Sequence, residues 1–332
     1  MVKDRVTLQK KEAFPLKFRV SLLTLCLMGA LIAPVAALTT TTAEVDNAPP
    51  IAENLTLNTY KNIAISSRFA AVDPEGDMLT FQVVDSPARG EVTVDENDPA
   101  AFWYTPYEGK KGKDSFTYVA IDSAGNQSEP AKVKITISKQ STKVMYSDLD
   151  GNPAHYAALR LAEAGVYTGR QVGSLYCFDP EECFTREEFL AAAMTAAGQT
   201  PQENVSLTGF YDDPEISAWA KGYVSAALIQ GAVKGTYNEQ GQVVFSGSRN
   251  ITCGEAAVII DRLLATGPVA SSAAFSAETA PAWAYQSAVN MEAVSVLSSS
   301  SDLYKPLTRA EAAEMLCAML DVLENRDSGG WW

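Results

Sequence analysis

The sequence predicts a multidomain fold, in which an all-β sandwich over residues 47–139 precedes an all-α domain of three helical repeats over residues 146–326. Two observations predict it. Short runs of alternating polar and apolar residues, separated by turn residues, fill the first segment, and one helix-start signal occurs three times in the second. Alternation is typical of half-buried strands. A repeat of about 55 to 65 residues is too small to bury a good core alone, so we expect the three to pack together.

The composition excludes several classes of function. Of the 332 residues, 47% are hydrophobic and 20% are charged, which is typical of packed globular proteins rather than of disordered chains or multi-span membrane proteins. His155 is the single histidine, so a Ser/His/Asp catalytic group would have to use this one residue, and a multi-histidine metal site is excluded. The net charge of −14 repels nucleic acid, which we exclude as a partner.

The N-terminal region has the composition of an export signal and a linker. Six Lys or Arg residues lie before an apolar run over 20–38, which contains small residues at 35–37. This pattern predicts a signal peptide over 1–37 and a Thr-rich linker over 38–46, with an uncleaved membrane anchor as the alternative. The signal peptide carries six basic and two acidic residues, so the mature chain has 20 basic and 38 acidic residues, a net charge of about −18. We expect an exported protein without a membrane partner after cleavage.

Four cysteines remain after cleavage, namely Cys177, Cys183, Cys253 and Cys317. Cys177 and Cys183 bracket a short polar loop. Outside the cytoplasm such a pair forms a local disulfide or stays as two free thiols, and the spacing leaves both states open.

In the first segment, alternation of polar and apolar residues predicts the strands. Residues 131–138 alternate strictly, and residues 78–84, 91–94 and 114–121 behave similarly, with Gly, Pro, Asp and Asn between the runs. About seven such strands predict a β-sandwich.

Motifs along this whole segment make it similar to the bacterial cadherin-like and Ig-like domains of surface proteins. They lie at 47–50, 73–81, 89–92, 104–106, 112–118 and 122–126. The resemblance implies a spacer or adhesion role, with a surface protein or a glycan as partner, and no catalytic chemistry.

Asp73, Glu75 and Asp77 place three carboxylates at alternate positions of one turn. Hard oxygen ligands of this kind suit calcium, and Asp114 and Asp122 are the further candidates for a complete site. The alternative is an acidic turn that stays solvated. We therefore expect no obligatory cofactor and keep calcium as a candidate.

The motif Thr-x-x-Glu occurs three times in the second segment, at 185–188, 252–255 and 308–311. Each copy has the residues of a helix-capping box and begins an apolar run. These runs predict helices at 189–197, 256–264 and 312–323. An amphipathic helix is predicted before each box, at 154–164, 218–229 and 282–293.

In the first two repeats the amphipathic helix ends in Gly-x-x-x-Gly, where glycine can adopt the left-handed conformation of a helix C-terminus. The pairs are Gly165 with Gly169 and Gly231 with Gly235. Ser295 and Ser299 stand at these places in the third repeat, which is therefore degenerate.

The order of these features resembles the S-layer homology (SLH) repeat, which has a leading Asp, a helix, the glycine pair, a Phe and Thr-Arg-x-Glu. On this resemblance the repeats cover 146–199, 207–266 and 275–326, with a tail at 327–332. The family implies noncovalent attachment to acidic, often pyruvylated, secondary cell-wall polysaccharide at the bacterial surface.

The resemblance assigns polysaccharide contacts to eight residues, namely Asp148, Gly169, Arg186, Asp212, Trp219, Gly235, Trp283 and Arg309. The two arginines directly follow the Thr of a box, where the guanidinium, free backbone amides and the helix dipole favour a carboxylate. The alternative is that they only pair with nearby acids such as Glu187 or Glu314.

Departures from the family pattern limit the number of complete repeats. Cys253 stands where the second box should have Arg, Pro153 where the first repeat should have Trp, and Glu278 is the only match to the leading Asp in the third. Trp219 and Trp283 suit sugar stacking or the core, and the core is the commoner place for a tryptophan at helical spacing. We expect one or two grooves to bind.

These features predict a non-catalytic cell-surface protein that the repeats attach to the wall and that displays the sandwich. A surface adhesin or structural protein whose repeats no longer bind polysaccharide is the first alternative. A cell-wall glycoside hydrolase is the weaker one, because no segment is left for a catalytic domain and no pair of carboxylates stands out.

Overall fold

The computed structural model describes residues 47–270, 275–276 and 280–327. The predicted signal peptide and linker, Glu278 and the last five residues lie outside the described residues. Within the described part of the chain, no helix has the length and apolar character needed to cross a membrane.

The first domain is a β-sandwich, as its alternation predicts. Its strands are β1 (Ile51–Ala52), β2 (Leu55–Tyr60), β3 (Ile65–Arg68), β4 (Ala71–Val72), β5 (Thr80–Asp85), β6 (Gly90–Val94), β7 (Ala101–Pro106), β8 (Gly112–Ile121) and β9 (Ala131–Ser138). One sheet has the order β2-β9-β8-β5 and the other the order β3-β7-β6, while β1 pairs with β4. Strands β2 and β9 run parallel, and the other pairs are antiparallel.

Strand β9 shows how the alternation decides the packing. Val133 and Ile135 are buried, whereas Lys132 and Lys134 are exposed. The buried face belongs to a core shared by both sheets, whose largest members are Phe102, Tyr104, Phe116 and Tyr118. Successive side chains of a strand point to opposite faces, so each apolar residue of β9 stabilises the contact between the sheets.

In the described residues, the second domain contains six α-helices and one short 3₁₀-helix at Asp213–Glu215. The α-helices are α1 (His155–Glu163), α2 (Arg186–Ala196), α3 (Lys221–Gln230), α4 (Cys253–Leu264), α5 (Tyr285–Ala293) and α6 (Arg309–Asp327). All six lie where the sequence predicts helices. Their apolar faces join one core that runs from Leu149 to Val322, so the three repeats pack together as expected.

The prediction of an all-α domain is wrong, because the first two repeats each contain a short hairpin. Strands β10 (Arg170–Val172) and β11 (Leu175–Cys177) form the first, and β12 (Thr236–Tyr237) and β13 (Val243–Val244) form the second. These strands have only two or three residues, which is too short for an alternating pattern to be recognised.

A ring of three backbone hydrogen bonds joins the repeats around an approximate three-fold axis. The Phe184 amide donates to the Leu307 carbonyl at 3.2 Å, Leu307 to Ile251 at 2.9 Å, and Ile251 to Phe184 at 3.0 Å. Each residue directly precedes the Thr of a capping box, and all three are buried. The ring therefore brings the N-termini of α2, α4 and α6 together at one end of the domain.

Left-handed residues end the first helix of every repeat. Gly165 has a φ of +68°, Gly231 one of +78° and Ser295 one of +58°. This confirms the alignment of Ser295 with the two glycines. A serine is less favourable there than glycine, because its Cβ crowds the following carbonyl.

The sandwich contacts the first repeat through α1. Tyr60 of the sandwich donates its hydroxyl to Glu163 Oε2 at 2.5 Å, and the Tyr60 and Tyr156 rings lie 5.3 Å apart. Tyr60, Val144 and Leu159 form a small buried cluster at this junction. The two domains are therefore packed on one another rather than joined by a free linker.

Candidate functional site

The three predicted capping boxes are present at the N-termini of α2, α4 and α6. Thr185 Oγ1 accepts a hydrogen bond from the Glu188 amide, and Thr252 Oγ1 accepts one from Glu255. Thr308 and Glu311 make the same pair of contacts. Each box fixes the direction in which the residue after its Thr points.

The backbone amides at these helix starts are not free, which corrects the expectation that they bind a carboxylate. The first amide of each helix donates to a carbonyl of a neighbouring repeat, Arg186 to Arg249 at 2.9 Å, Cys253 to Lys305 at 3.0 Å and Arg309 to Glu182 at 2.7 Å. The second amides donate in the same way, to Gly247, Leu303 and Pro180. Only side chains and the helix dipole are left to attract an anion.

Arg186 is held between two repeats. Its Nη1 lies 3.3 Å from Glu255 Oε1, and its guanidinium carbon lies 5.3 Å from the centre of the Phe245 ring. The residue is only 7% exposed, and its Nε is buried without a hydrogen-bond partner. Burial lowers the pKa of Arg186, although the charge of Glu255 opposes this.

Arg249 is a second cation at this place, which the motif did not identify. Its Nη1 donates to Glu255 Oε2 at 2.7 Å, and its Nη2 contacts Glu255 Oε1. We call Arg186, Arg249, Glu255 and Phe245 the Arg186 groove. Two guanidinium groups thus share one carboxylate, so the groove has an excess of positive charge.

Arg309 also meets a carboxylate of a neighbouring repeat, here between the third and first repeats. Its Nη1 lies 3.4 Å from Asp179 Oδ2, and Arg170 Nη2 lies 3.6 Å from Asp179 Oδ1. The Arg309 Nε is also buried without a partner. We call Arg309, Arg170 and Asp179 the Arg309 groove. Its two cations share Asp179, and the acids Glu182 and Glu188 lie with Arg309 around Tyr167.

The third groove has a different composition. Cys253 takes the place of the arginine and is 6% exposed, and burial raises the pKa of its thiol to about 11. Lys305 Nζ lies 2.8 Å from Glu311 Oε1, so the one cation that we assign to this groove is neutralised. We call Cys253, Lys305 and Glu311 the Cys253 groove.

The predicted alternative partners of the arginines are wrong. Glu187 accepts hydrogen bonds from the backbone amide and hydroxyl of Ser217, at 3.2 and 2.5 Å, and does not pair with Arg186. Among the described ion pairs of Arg309, the partner is Asp179 and not Glu314. Both arginines reach across to a neighbouring repeat, which no pattern within one repeat can show.

The leading aspartates of the first two repeats, Asp148 and Asp212, hold the backbone of residues that belong to the grooves. Asp148 accepts hydrogen bonds from the amides of Phe178 and Asp179, at 2.9 and 2.7 Å. Asp212 accepts them from Phe245 and Ser246, at 2.8 and 2.7 Å. Asp148 therefore fixes the backbone that carries Asp179, and Asp212 fixes the backbone that carries Phe245.

Gly169 and Gly235 allow the hairpins to pack closely. A Cβ on Gly169 would lie 2.4 Å from the Cys177 carbonyl oxygen, and one on Gly235 would lie 2.6 Å from the Phe210 ring. Both residues also have positive φ. The structure thus gives these glycines a role in shaping the loop that leads to each groove.

Trp219 and Trp283 lie at the surface, so the preference for a core position is wrong. Trp219 is 54% exposed and Trp283 is 57% exposed. Both precede their helices, and for this reason a helical spacing does not bury them. Trp283 packs beside Gly254 at the start of α4, since its ring lies 3.5 Å from where a Cβ of Gly254 would be.

The three candidate calcium ligands accept hydrogen bonds within the Ig domain, Glu75 from the Ala48 amide and Asp77 from the Ser123 hydroxyl. Asp73 Oδ1 accepts hydrogen bonds from the amides of Glu75 and Asp77, both at 3.0 Å. Asp114 and Asp122 likewise accept hydrogen bonds from backbone amides of neighbouring turns. Within the described residues, no group of three carboxylate, Cys or His side chains is arranged to hold a metal ion.

Cys177 and Cys183 are free thiols in the structure, which is the second of the two states that the sequence left open. Cys177 Sγ lies 3.4 Å from Ser147 Oγ.

Comparison with known proteins identifies the first domain. The family model described as bacterial Ig domain matches residues 47–136. Fibronectin(III)-like modules of Clostridium thermocellum CbhA are 21% identical in a match that covers 27% of this chain and 47% of that chain, with a TM-score of 0.20.

Two curated relatives are longer enzymes. An amylopullulanase of Thermoanaerobacterium thermosulfurigenes is 34% identical over 134 residues, which cover 39% of this chain and 7% of the relative. The exoglucanase XynX of Acetivibrio thermocellus is 31% identical over 134 residues, which cover 39% of this chain and 12% of the relative. The chain thus spans a small fraction of either. Both alignments are longer than the segment that matches the bacterial Ig domain, residues 47–136. They therefore include residues outside that domain.

Proposed function

We propose that the three repeats attach this protein noncovalently to an acidic polysaccharide of the bacterial cell wall, through the Arg186 and Arg309 grooves. The protein is exported and has no catalytic role. In this proposal the Ig domain is displayed at the cell surface, where it serves as a spacer or contacts a surface protein or glycan.

The observation that carries the proposal is the incomplete pairing of two guanidinium groups, of which Arg186 is buried and Arg309 is partly buried. Arg186 and Arg309 each have a buried Nε without a hydrogen-bond partner, and each reaches a single carboxylate at more than 3.2 Å. A buried donor without a partner costs about 1–3 kcal/mol. A carboxylate of a bound polysaccharide would accept hydrogen bonds from the more exposed guanidinium groups, Arg249 and Arg170, and would balance the second cation of each groove.

The charge of the whole chain requires such local sites. An acidic protein repels an anionic polymer at long range, so attraction has to come from pockets where cations outnumber acids. The Arg186 groove meets this condition, because Arg186 and Arg249 share Glu255, whereas the one cation of the Cys253 groove is paired with Glu311. In the Arg309 groove, Arg309 and Arg170 share Asp179. Trp219 supports the proposal, because its exposed indole can stack on a sugar ring and it follows Ser217, which donates hydrogen bonds to Glu187 at the start of α2.

A second candidate is a surface adhesin or structural protein in which the repeats only build the fold. The observation that favours it is that each arginine already has a carboxylate partner and that the first two amides of each helix are occupied. In this case Glu255 and Asp179 are permanent partners of the arginines. The activities named for the two relatives belong to proteins of which this chain spans a small fraction.

Binding of the mature protein to purified cell walls tests the proposal. We expect retention that falls when the acidic substituents of the wall polysaccharide are removed chemically. Arg186→Ala and Arg309→Ala should each weaken binding in one groove by roughly ten- to a hundredfold, since a hydrogen bond to a charged group contributes about 1.5–3 kcal/mol.

Arg68→Ala is the matched control, because Arg68 forms an exposed ion pair with Asp98 on the Ig domain. It should leave wall retention unchanged. Unchanged retention after loss of both Arg186 and Arg309, with the fold intact by circular dichroism, would favour the second candidate.

A further inference from the structure

We propose that the Cys253 groove is the docking surface of the chain's own Ig domain and not a third polysaccharide site. The first observation is a cavity of about 790 Å³ that both domains line. Strands β2 and β3 of the Ig domain supply one wall, with Asn58 and Ser66 among its residues. The facing wall contains Cys253, Lys305 and Glu311. Neither the Arg186 nor the Arg309 groove contributes a residue to this lining.

The second observation is that the Ig domain is fixed next to this groove. Glu163, at the end of α1, accepts the Tyr60 hydroxyl at 2.5 Å and the Ser141 hydroxyl at 2.9 Å, and it also contacts the Ser141 amide. One carboxylate therefore ties the Ig domain and the segment after β9 to the first repeat. Tyr156 adds an apolar contact, because it packs against the cores of both domains.

The third observation is the chemistry of the groove. Its single lysine is paired with Glu311, and the carboxylates of Asp302 and Glu314 also line the cavity. An anionic polymer would be repelled here, whereas in each of the other two grooves two guanidinium groups share one carboxylate. The groove that lacks its arginine is thus the one that faces the Ig domain. An arginine at 253 would be the second cation of this groove, on a surface that faces the Ig domain.

Docking at this surface gives the Ig domain a fixed direction relative to the two open grooves. The domain then projects from the attachment region as a rigid arm. A chain in which the two domains were joined only by a flexible linker would lack this property.

A distance measurement in the full mature chain tests the docking and needs no polysaccharide. Ser66→Cys and Ser298→Cys place labels on opposite walls of the cavity, in a background with Cys177→Ser and Cys183→Ser. We expect one narrow distance distribution between the two spin labels. A broad distribution would overturn the proposal. The background chain without the two new cysteines should take up almost no label, because Cys253 and Cys317 are buried. Labelling of Cys253 in that chain as fast as that of Cys177 in the unmodified protein would also overturn it.

Cys253→Arg gives a separate readout. The family pattern alone predicts that this change restores a groove and strengthens wall binding, whereas docking predicts no gain in the intact chain. A severalfold gain in wall retention would contradict the docking. If the unmodified protein does not bind walls at all, the proposed function fails, and the distance measurement still decides the position of the Ig domain.

Discussion

Arg186 and Glu255 belong to different repeats and meet 3.3 Å apart at the start of two helices. Glu255 also belongs to the capping box of its own helix and contacts Arg249. The same carboxylate therefore caps the start of a helix, joins two repeats and balances a cation that we assign to polysaccharide binding. Changes at this position should affect both the stability of the repeats and the properties of the groove.

The stability of the repeats should depend on the ionisation of Glu255. Burial opposes ionisation, but the hydrogen bond from Arg249 and the charge of Arg186 lower the pKa of Glu255 below its usual 4.5. A lowered pKa stabilises the fold above the unfolded-state pKa, and this contribution is lost as the pH falls through the lower folded-state value. Urea unfolding between pH 6 and 3 should show less acid sensitivity in Glu255→Gln. The control is Glu239→Gln, at an exposed position, which should leave the pH profile unchanged.

Asp212→Ala should destabilise the second repeat by about 1–3 kcal/mol, because the amides of Phe245 and Ser246 would lose their acceptor in a buried place. Thermal unfolding measures this effect. Asp150→Ala, at an exposed position of the first repeat, should change the free energy of unfolding by less than about 0.5 kcal/mol. Equal effects of the two changes would contradict the supporting role of Asp212.

Trp219→Ala should reduce wall retention without lowering the unfolding temperature, since more than half of the side chain is exposed. We expect a loss of about 1–2 kcal/mol in binding, the range for a stacked aromatic group. Tyr304→Ala is the control, because Tyr304 is an exposed aromatic residue of the third repeat. A fall in stability with unchanged retention would show that Trp219 is structural.

Removal of divalent cations should leave the Ig domain folded. Asp73 Oδ1 accepts hydrogen bonds from two backbone amides of its own turn. A core of aromatic and β-branched residues joins the two sheets. Calorimetry with and without a chelator should therefore give the same cooperative transition. Loss of that transition, with recovery on adding calcium, would restore Asp73, Glu75 and Asp77 as ligands.

Much of the fold could be predicted because its signals are local. The capping boxes depend on residues three apart, and the alternation of β9 depends on neighbours along one strand. The left-handed end of each first helix is local too, so Ser295 could be aligned with Gly165 and Gly231 despite the different residue. Arg249 could have been found in the same way, because it and Lys305 both lie three residues before the Thr of a box.

The sequence by itself determined the sandwich, the six helices and the place of both arginines, since each follows from spacing within one element or one repeat. Only the tertiary structure decided which carboxylate each arginine meets, that the helix amides are occupied, and that the Cys253 groove faces the Ig domain. These features join residues that are far apart in the chain. Their geometry follows from the ring that closes the three repeats and from the packing of Tyr60 and Tyr156, and no local pattern encodes it.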